Sequence, residues 1–550
     1  MTAANGPATA NGVQPTSGDA VPPPIAPPGG LLAATGANVR VGDLRDSLAA
    51  GFLGAPRQPA TRNWTITPSL GLGEEFTDNV LGQSGTGSGD DVITLIQPGI
   101  EITGASARLQ GSLSYHPEVD IYARHSADTQ VAQNFGGQFL GVILPGTLFL
   151  DVRGYGNATS NGIGGPVGTA ATTANGATQT LDVSISPYAL RRFGTWGTGE
   201  IGASFSRTTL GALTGGSDSG GAVPNAGAFD TASDQNVTSY SGHVAFQTGE
   251  AFDRYNGTAL GYATKYDGSG VLNNAVRDTA TIDSGYAVTR LFTLLGRVGY
   301  EHIDYSGSNP IRIDDAIWDG GLRLSLGPDS TIEARYGHHD GLDAASLDLS
   351  LAPTARTRLY IRYSEGLSTE AEQLQNTLAT SDFDPLGNPV DHSTGAPLLA
   401  NGGLFGPQDN LYRSKVLTFT GELTQPRDVF SLSVNAEQDD LVSSGGQAGS
   451  LGSNKGIYCS LDWSHTLSPT LSLSVYGQYG VLDDEGLTGQ QDVELASVAL
   501  VDALSPTLSA QLRYSYDRQS GEGPSEGGGG REGGPGSSQN VILLSFEKSF

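Results

Sequence analysis

The tightest grouping of possible metal ligands in this 550-residue chain is His338-His339-Asp340. Neighbouring strand residues point to opposite faces, so His338 and His339 do not reach one ion without a bend. The pattern favours a solvated strand end. Gly216-Ser217-Asp218-Ser219-Gly220-Gly221 sets serines in a glycine turn, which could place an oxyanion-binding backbone beside a nucleophile. It sits in a Gly/Ser-rich stretch, and no recognisable His and Asp segments accompany it. The eight histidines (116, 125, 243, 302, 338, 339, 392 and 465) are dispersed. The single cysteine, Cys459, permits no internal disulfide, and no Cys/His set has zinc spacing. A lone Gly71-x-Gly73 is too weak to suggest a nucleotide, and P-loop and EF-hand patterns are absent. No catalytic centre, cofactor or metal site is expected.

A second group of chemistry-bearing residues is spread rather than clustered. Arg108, Asp151, Arg153, Asp319, Arg323, Arg358, Arg362, Glu422, Glu437, Asp462 and Arg513 all fall on the polar side of segments that alternate apolar and polar residues. Charges of both signs on one face of a closed sheet line a water-filled pore and set its ion preference, or else form a packed salt-bridge network in a closed lumen. A barrel of many strands leaves more space than side chains fill, which favours the wet lumen.

The elements that must carry these residues are strands. Leu471, Leu473, Val475 and Tyr479 alternate with Ser472, Ser474, Tyr476 and Gln478. Leu508, Ala510, Leu512 and Tyr514 alternate with Ser509, Gln511, Arg513 and Ser515, and Phe430, Leu432 and Val434 with Ser431, Ser433 and Asn435. Alternation puts the two sets on opposite sides of a sheet. Counted from Trp64, the segmentation yields 22 strands within a range of 16 to 22. Connections after even-numbered strands are short: Thr103-Gly104-Ala105, Leu144-Pro145-Gly146, Leu326-Gly327-Pro328-Asp329 and Gln425-Pro426-Arg427. Three further turns echo one another, at Leu351-Ala352-Pro353-Thr354, Leu467-Ser468-Pro469-Thr470 and Leu504-Ser505-Pro506-Thr507, where proline presets the first corner. The longest connections, at about 158–178, 208–236, 366–413, 438–455 and 518–538, all follow odd-numbered strands. Short turns on one side and long loops on the other is the plan of an outer-membrane barrel. In loop 366–413, Thr369-Glu370-Ala371-Glu372 reads as a capping box opening a short helix through Leu378. That loop either folds into the pore and narrows it or lies on the surface.

Composition agrees. With 79 glycines, 37% hydrophobic and 16% charged residues, the chain has two kinds of surface, and no run approaches the roughly 18 apolar residues of a membrane helix. A net charge of −28 argues against nucleic acid; it keeps the unfolded chain soluble, or attracts cations to the outer surface. Residues 1–62 carry nine prolines and few aromatics, which predicts a disordered periplasmic tail. Within it, residues 41–53 could form one short helix. The tail is too short and polar for a folded plug of the kind TonB-dependent receptors carry. No secretory signal peptide is visible at the start, so the true start is expected to lie upstream or to have been removed. Residues 63–550 form the barrel domain.

The last strand, 541–550, ends Ile542-x-Leu544-x-Phe546-x-Lys548-x-Phe550. It looks like the C-terminal assembly signal of outer-membrane proteins, a terminal aromatic preceded by apolar residues at alternate positions. Lys548 departs from that pattern; it either snorkels at the membrane edge or weakens the signal. The opening of the barrel, with Thr65 to Leu70, Glu75-Phe76-Thr77-Asp78-Asn79-Val80 and Asp90 to Ile100, resembles the outer-membrane β-barrel porin families that include the exosortase-associated (PEP-CTERM system) proteins. The likeness covers residues 64 to 155. It implies an outer-membrane location, lipid, lipopolysaccharide and the barrel assembly machinery as partners, and passage of exopolysaccharide or small solutes. Taken by themselves, Thr77-Asp78-Asn79 are turn residues. The expectation is an all-β antiparallel transmembrane barrel acting as a channel. A non-transporting structural or adhesive barrel is the rival. An outer-membrane hydrolase comes third, to be tested at Ser219 or His339 once an activity is found.

Overall fold

A computed structural model describes residues 63–80, 89–125, 129–160, 177–213, 235–327, 330–383, 389–391, 410–445, 453–484, 489–521 and 537–550. The segments 1–62 and 216–221, with the short helix expected at 41–53, lie outside the described residues.

One antiparallel sheet of 22 strands closes on itself. Each strand pairs with its sequence neighbours, and the ring is sealed where Asn63–Thr77 meets Ser537–Ser549, with Leu72 opposite Phe546 and Phe76 opposite Ile542. Two of the strands are each broken in two. Leu109–Tyr115 continues as Glu118–Tyr122, and Gln130–Ala132 continues as Phe135–Leu144. Pro117 causes the first break, because proline cannot donate to the ladder. The second break lies directly across from it, where His116 N–H donates to the Asn134 carbonyl at 2.8 Å.

The two faces of the sheet are chemically distinct. Ile66, Leu72, Val298, Tyr336, Leu461 and Leu512 are all exposed and point outward. Their alternates, such as Asn435, Gln478, Ser497 and Ser515, are buried on the inside. A closed barrel satisfies every backbone group without an edge, and an apolar exterior belongs against lipid. The expected transmembrane barrel is therefore the observed one. No helix among the described residues is long and apolar enough to cross a membrane.

Two segments read as turns lie wholly within strands. Thr103-Gly104-Ala105 is still strand, and the turn is Ser106–Arg108. Leu351 to Thr354 is likewise strand, with the turn at Ala355 and Arg356 and a register shift between Leu351 and Thr354. Ladder pairing carried both strands past the residues that local composition marked as corners. The five longest connections do follow odd-numbered strands, but 78–90 takes the place of 438–455, which shrinks to 445–452.

Thr77, Asp78 and Asn79 form more than a local turn. The Asn79 N–H donates to Thr77 Oγ1 at 3.2 Å, the expected turn chemistry. The same three residues also tie the first strand to the last. The Asn540 backbone and side-chain N–H groups donate to the two Asp78 carboxylate oxygens at 2.7 Å each. Asn79 Nδ2 donates to the Ser538 carbonyl at 2.9 Å, and Gln539 Nε2 to Thr77 Oγ1 at 2.8 Å. The pattern clamps the seam of the barrel. At the other end of that seam Phe550 N–H donates to the Pro68 carbonyl at 2.9 Å. Ile542, Leu544, Phe546 and Phe550 are exposed on the outside, and Lys548 Nζ donates to Thr507 Oγ1 in the adjacent turn.

Candidate functional site

The connection expected at 366–413 is shorter, because the strands run to Ser368 and start again at Asn410; its described part, 369–383 with 389–391, turns inward. Its helix, α1, spans Glu370–Thr380. Thr369 caps it as expected: Thr369 Oγ1 accepts from Glu372 N–H at 3.2 Å, and the Glu372 carboxylate accepts from Thr369 N–H at 2.9 Å. A two-stranded hairpin follows, Ser381–Phe383 with Pro389–Asp391.

Two apolar contacts seat α1 on the inner wall. Near its start, Leu367 and Ala371 pack with Tyr266, Val271, Ile303, Tyr305 and Leu411. Along its second half, Leu374 and Leu378 pack with Tyr155 and Leu210. These contacts span the barrel from the fifteenth strand, which the loop leaves, to the fifth, Leu148–Ser160. Leu374 and Leu378, four residues apart, lie on one face of the helix.

Charged and polar side chains fix both ends of α1. Arg153 Nη1 donates to the carbonyls of Leu378 at 2.9 Å, Ala379 at 3.0 Å and Ser381 at 2.5 Å, while its Nε donates to Asp151 at 3.2 Å. A helix ends with unsatisfied carbonyls and partial negative charge, and a guanidinium satisfies both. At the entry, Arg277 ion-pairs with Asp340 and donates to the Leu367 carbonyl at 3.1 Å. Asp340 accepts from Leu367 N–H at 3.3 Å, and the Tyr305 hydroxyl donates to Glu372 at 2.7 Å. Gln375 Nε2 donates to Thr208 Oγ1 midway, at 2.9 Å.

Asp340 corrects the sequence reading of 338–340 as a solvated strand end, since it is only 2% exposed. Its left-handed backbone, φ 57°, turns the hairpin so that the carboxylate faces inward. The two histidines part company, His338 meeting Asp315 and Asp343, and His339 meeting Asp340. Among the described residues no group of three or more His, Cys, Asp or Glu is arranged to hold a metal.

The sequence-selected residues fall into several settings. Asp151, Arg153, Glu437 and Arg513 are buried on the inner face, with Arg513 3.8 Å from Glu75. Asp319 and Arg323 belong to a ladder of six charges: Arg297 to Asp319 at 2.7 Å, Arg335 to Asp319 at 3.0 Å and to Asp283 at 2.9 Å, and Glu333 bridging Arg335 at 2.8 Å and Arg323 at 2.6 Å. Arg358 and Arg362 are exposed; their neighbours Thr357 and Tyr363 pair with the outward Leu423 and Leu417, so both arginines point inward. Arg358 lies opposite Glu422, and Arg362 is 3.3 Å from Asp348. Asp462 is half-buried opposite Ser431. Arg108 is the exception: it sits exposed in the turn Ser106–Arg108, off the strand faces altogether.

Sequence reasoning missed Arg277 and Tyr305, whose partners lie far along the chain, and Arg335, which joins Glu333 beside it to Asp319 and Asp283 on other strands. It also missed a hydroxyl bed beneath α1. Ser184 and Ser186, Ser204 and Ser206, and Ser239 and Ser241 sit on three adjacent strands, with Thr264, Tyr262 and Tyr266 on the next. Its signal was available as Ser-x-Ser three times.

No family model matches the chain, and no curated protein matches it. Solved structures similar to it include the siderophore receptor PirA from Acinetobacter baumannii, at 8% identity and a TM-score of 0.46, covering 90% of this chain and 81% of that one. The FrpB iron transporter from Neisseria meningitidis is similar at 9% identity and TM-score 0.46, over 92% and 84% of the two chains. The ferric-catecholate import receptor Fiu from E. coli K12 follows at 10%, 0.45, 90% and 82%. At these scores the likenesses carry no argument about activity.

Proposed function

We propose that this chain is a bacterial outer-membrane channel for small hydrophilic solutes, narrowed from within by loop 366–413. The observation that carries the reading is the docking of α1 on the inner wall through Arg153, Arg277 and the two apolar contacts. A barrel of 22 strands is too wide for its own wall side chains to fill, so an inserted segment is what sets the free cross-section. Part of the wall is left wet: Arg358, Arg362 and Glu422 are inward and accessible to solvent, and charges of both signs in such a lumen set ion preference.

The sequence-selected charges other than Arg108 are, on this reading, pore-lining residues or anchors of the constriction. Residues 1–62 remain proposed as a periplasmic tail, with 63–550 as the barrel. Export of exopolysaccharide rests on the resemblance of residues 64 to 155 alone, and a survey of neighbouring genes for polysaccharide synthesis tests it.

Purified protein reconstituted in planar lipid bilayers tests the channel itself. Discrete current steps are the expected result. Silence from protein that shows the heat-dependent gel shift of a folded barrel would sink the proposal in favour of a non-transporting surface barrel.

A further inference from the structure

Between its two apolar seats, α1 rests on a wall of hydroxyls rather than of apolar side chains. The strands Ala177–Arg192, Gly197–Leu213 and Gln235–Thr248 present two cross-strand rows, Ser184–Ser206–Ser239 and Ser186–Ser204–Ser241. The rows continue on Tyr255–Asp267 as Tyr266 and Thr264. Sheet geometry spaces such hydroxyls about 4.8 Å across strands and about 6.8 Å along them. Above them α1 offers Gln375, Asn376 and Ala379, and the fit is loose enough to leave a polar cavity of about 30 Å³, room for a water or two. A permanent helix seat would repeat the leucine and tyrosine packing found on either side.

The edges of the bed are charged. His243 lies 2.8 Å from Glu200 on one side. Arg153, 4% exposed, lies on the other; its Nε donates to Asp151 and its Nη1 to the three carbonyls that end α1. Those carbonyls are the partially negative end of a helix. They stand where an acidic group would satisfy the guanidinium better, since a carboxylate or phosphate takes its planar fork in two parallel bonds. Each serine hydroxyl both donates and accepts, which suits a ligand that itself carries many hydroxyls.

We infer that the serine bed with Arg153 is a binding surface for a hydroxyl-rich solute bearing one acidic group, and that α1 is the cover this solute displaces. The inference rests on the channel reading for its access route. The acidic group is a carboxylate or a phosphate, and the two are separable by experiment.

Calorimetric titration of the full-length protein in detergent with glucuronate, glucose 6-phosphate, glucose and acetate is the test. One of the two acidic sugars is expected to bind at least tenfold more tightly than glucose or acetate, and which one identifies the acid. Arg153→Gln is expected to abolish the preference for acid, whereas Ser204→Ala with Ser241→Ala weakens both sugar classes severalfold and keeps that preference. Where Arg153→Gln fails to fold, Arg153→Lys keeps the charge, loses the fork, and is expected to lower the preference severalfold. Equal binding or no binding of all four probes overturns the inference, as does an acid preference that the arginine substitutions leave unchanged. Current steps without sugar binding would leave the channel standing and remove only the bed.

Discussion

Arg153 and Asp340 are the two residues on which the position of the inserted loop turns. Arg153 is buried against Asp151 and three carbonyls. Replacing it strands a buried carboxylate and frees the helix end, a change that costs about 3–5 kcal/mol when a buried ion pair loses one partner. Arg153→Gln should therefore release the C-terminal half of α1, and single-channel recording should show larger or noisier current steps than the parent. Asp340 gives a pH dependence. Burial pushes its carboxyl up, but Arg277, His339 and the Leu367 N–H outweigh burial and hold it below the ordinary carboxylate value. A depressed carboxyl stabilises the fold above its unfolded value, near 3.9, and that stabilisation is lost as pH falls through the lower folded value. Conductance should thus be flat from about pH 5 to 8 with respect to this anchor and rise only below about pH 4. In Asp340→Asn that acid step should be missing.

At the scale of elements, α1 is the piece whose register the sequence made plain. Thr369 and Glu372 stand at the spacing of a capping box, and both bonds form. Thr369→Ala should cost about 1 kcal/mol, roughly a fivefold shift toward the undocked loop; Thr369→Ser should stay near the parent. Occupancy of the reduced-conductance level measures it. The strands were equally legible, because period-two alternation is written into each of them, and so was the rule that long connections follow odd strands. Corners were less so. Thr103-Gly104-Ala105 looks like a turn but is held in the ladder by its partners Asn63, Trp64 and Thr65. The break at Pro117 was visible as a proline, yet its answering break at Gln133 and Asn134 exists only through pairing. The site was the least legible part. Arg153 reads in sequence as one more inward charge, and nothing near it names the helix end 225 residues away that it holds.

For the molecule as a whole, closure and occupancy are separate problems. Closure is met by the seam of Thr77, Asp78 and Asn79 against Ser538, Gln539 and Asn540, together with the outward apolar face. On the proposed reading, occupancy falls to the connection after the fifteenth strand, whose helix α1 covers part of the inner wall while Arg358, Arg362 and Glu422 stay accessible on the inner face. The same wall that anchors the loop carries the ladder of Asp283, Arg297, Asp319, Arg323, Glu333 and Arg335. The most direct measurement compares single-channel conductance of the parent with a variant in which residues 369–409 are replaced by a short Gly/Ser link joining the same two strands. A severalfold larger current step in the variant, with the same heat-dependent gel shift, is the expected result. Equal steps in the two proteins would contradict the claim that the loop sets the opening.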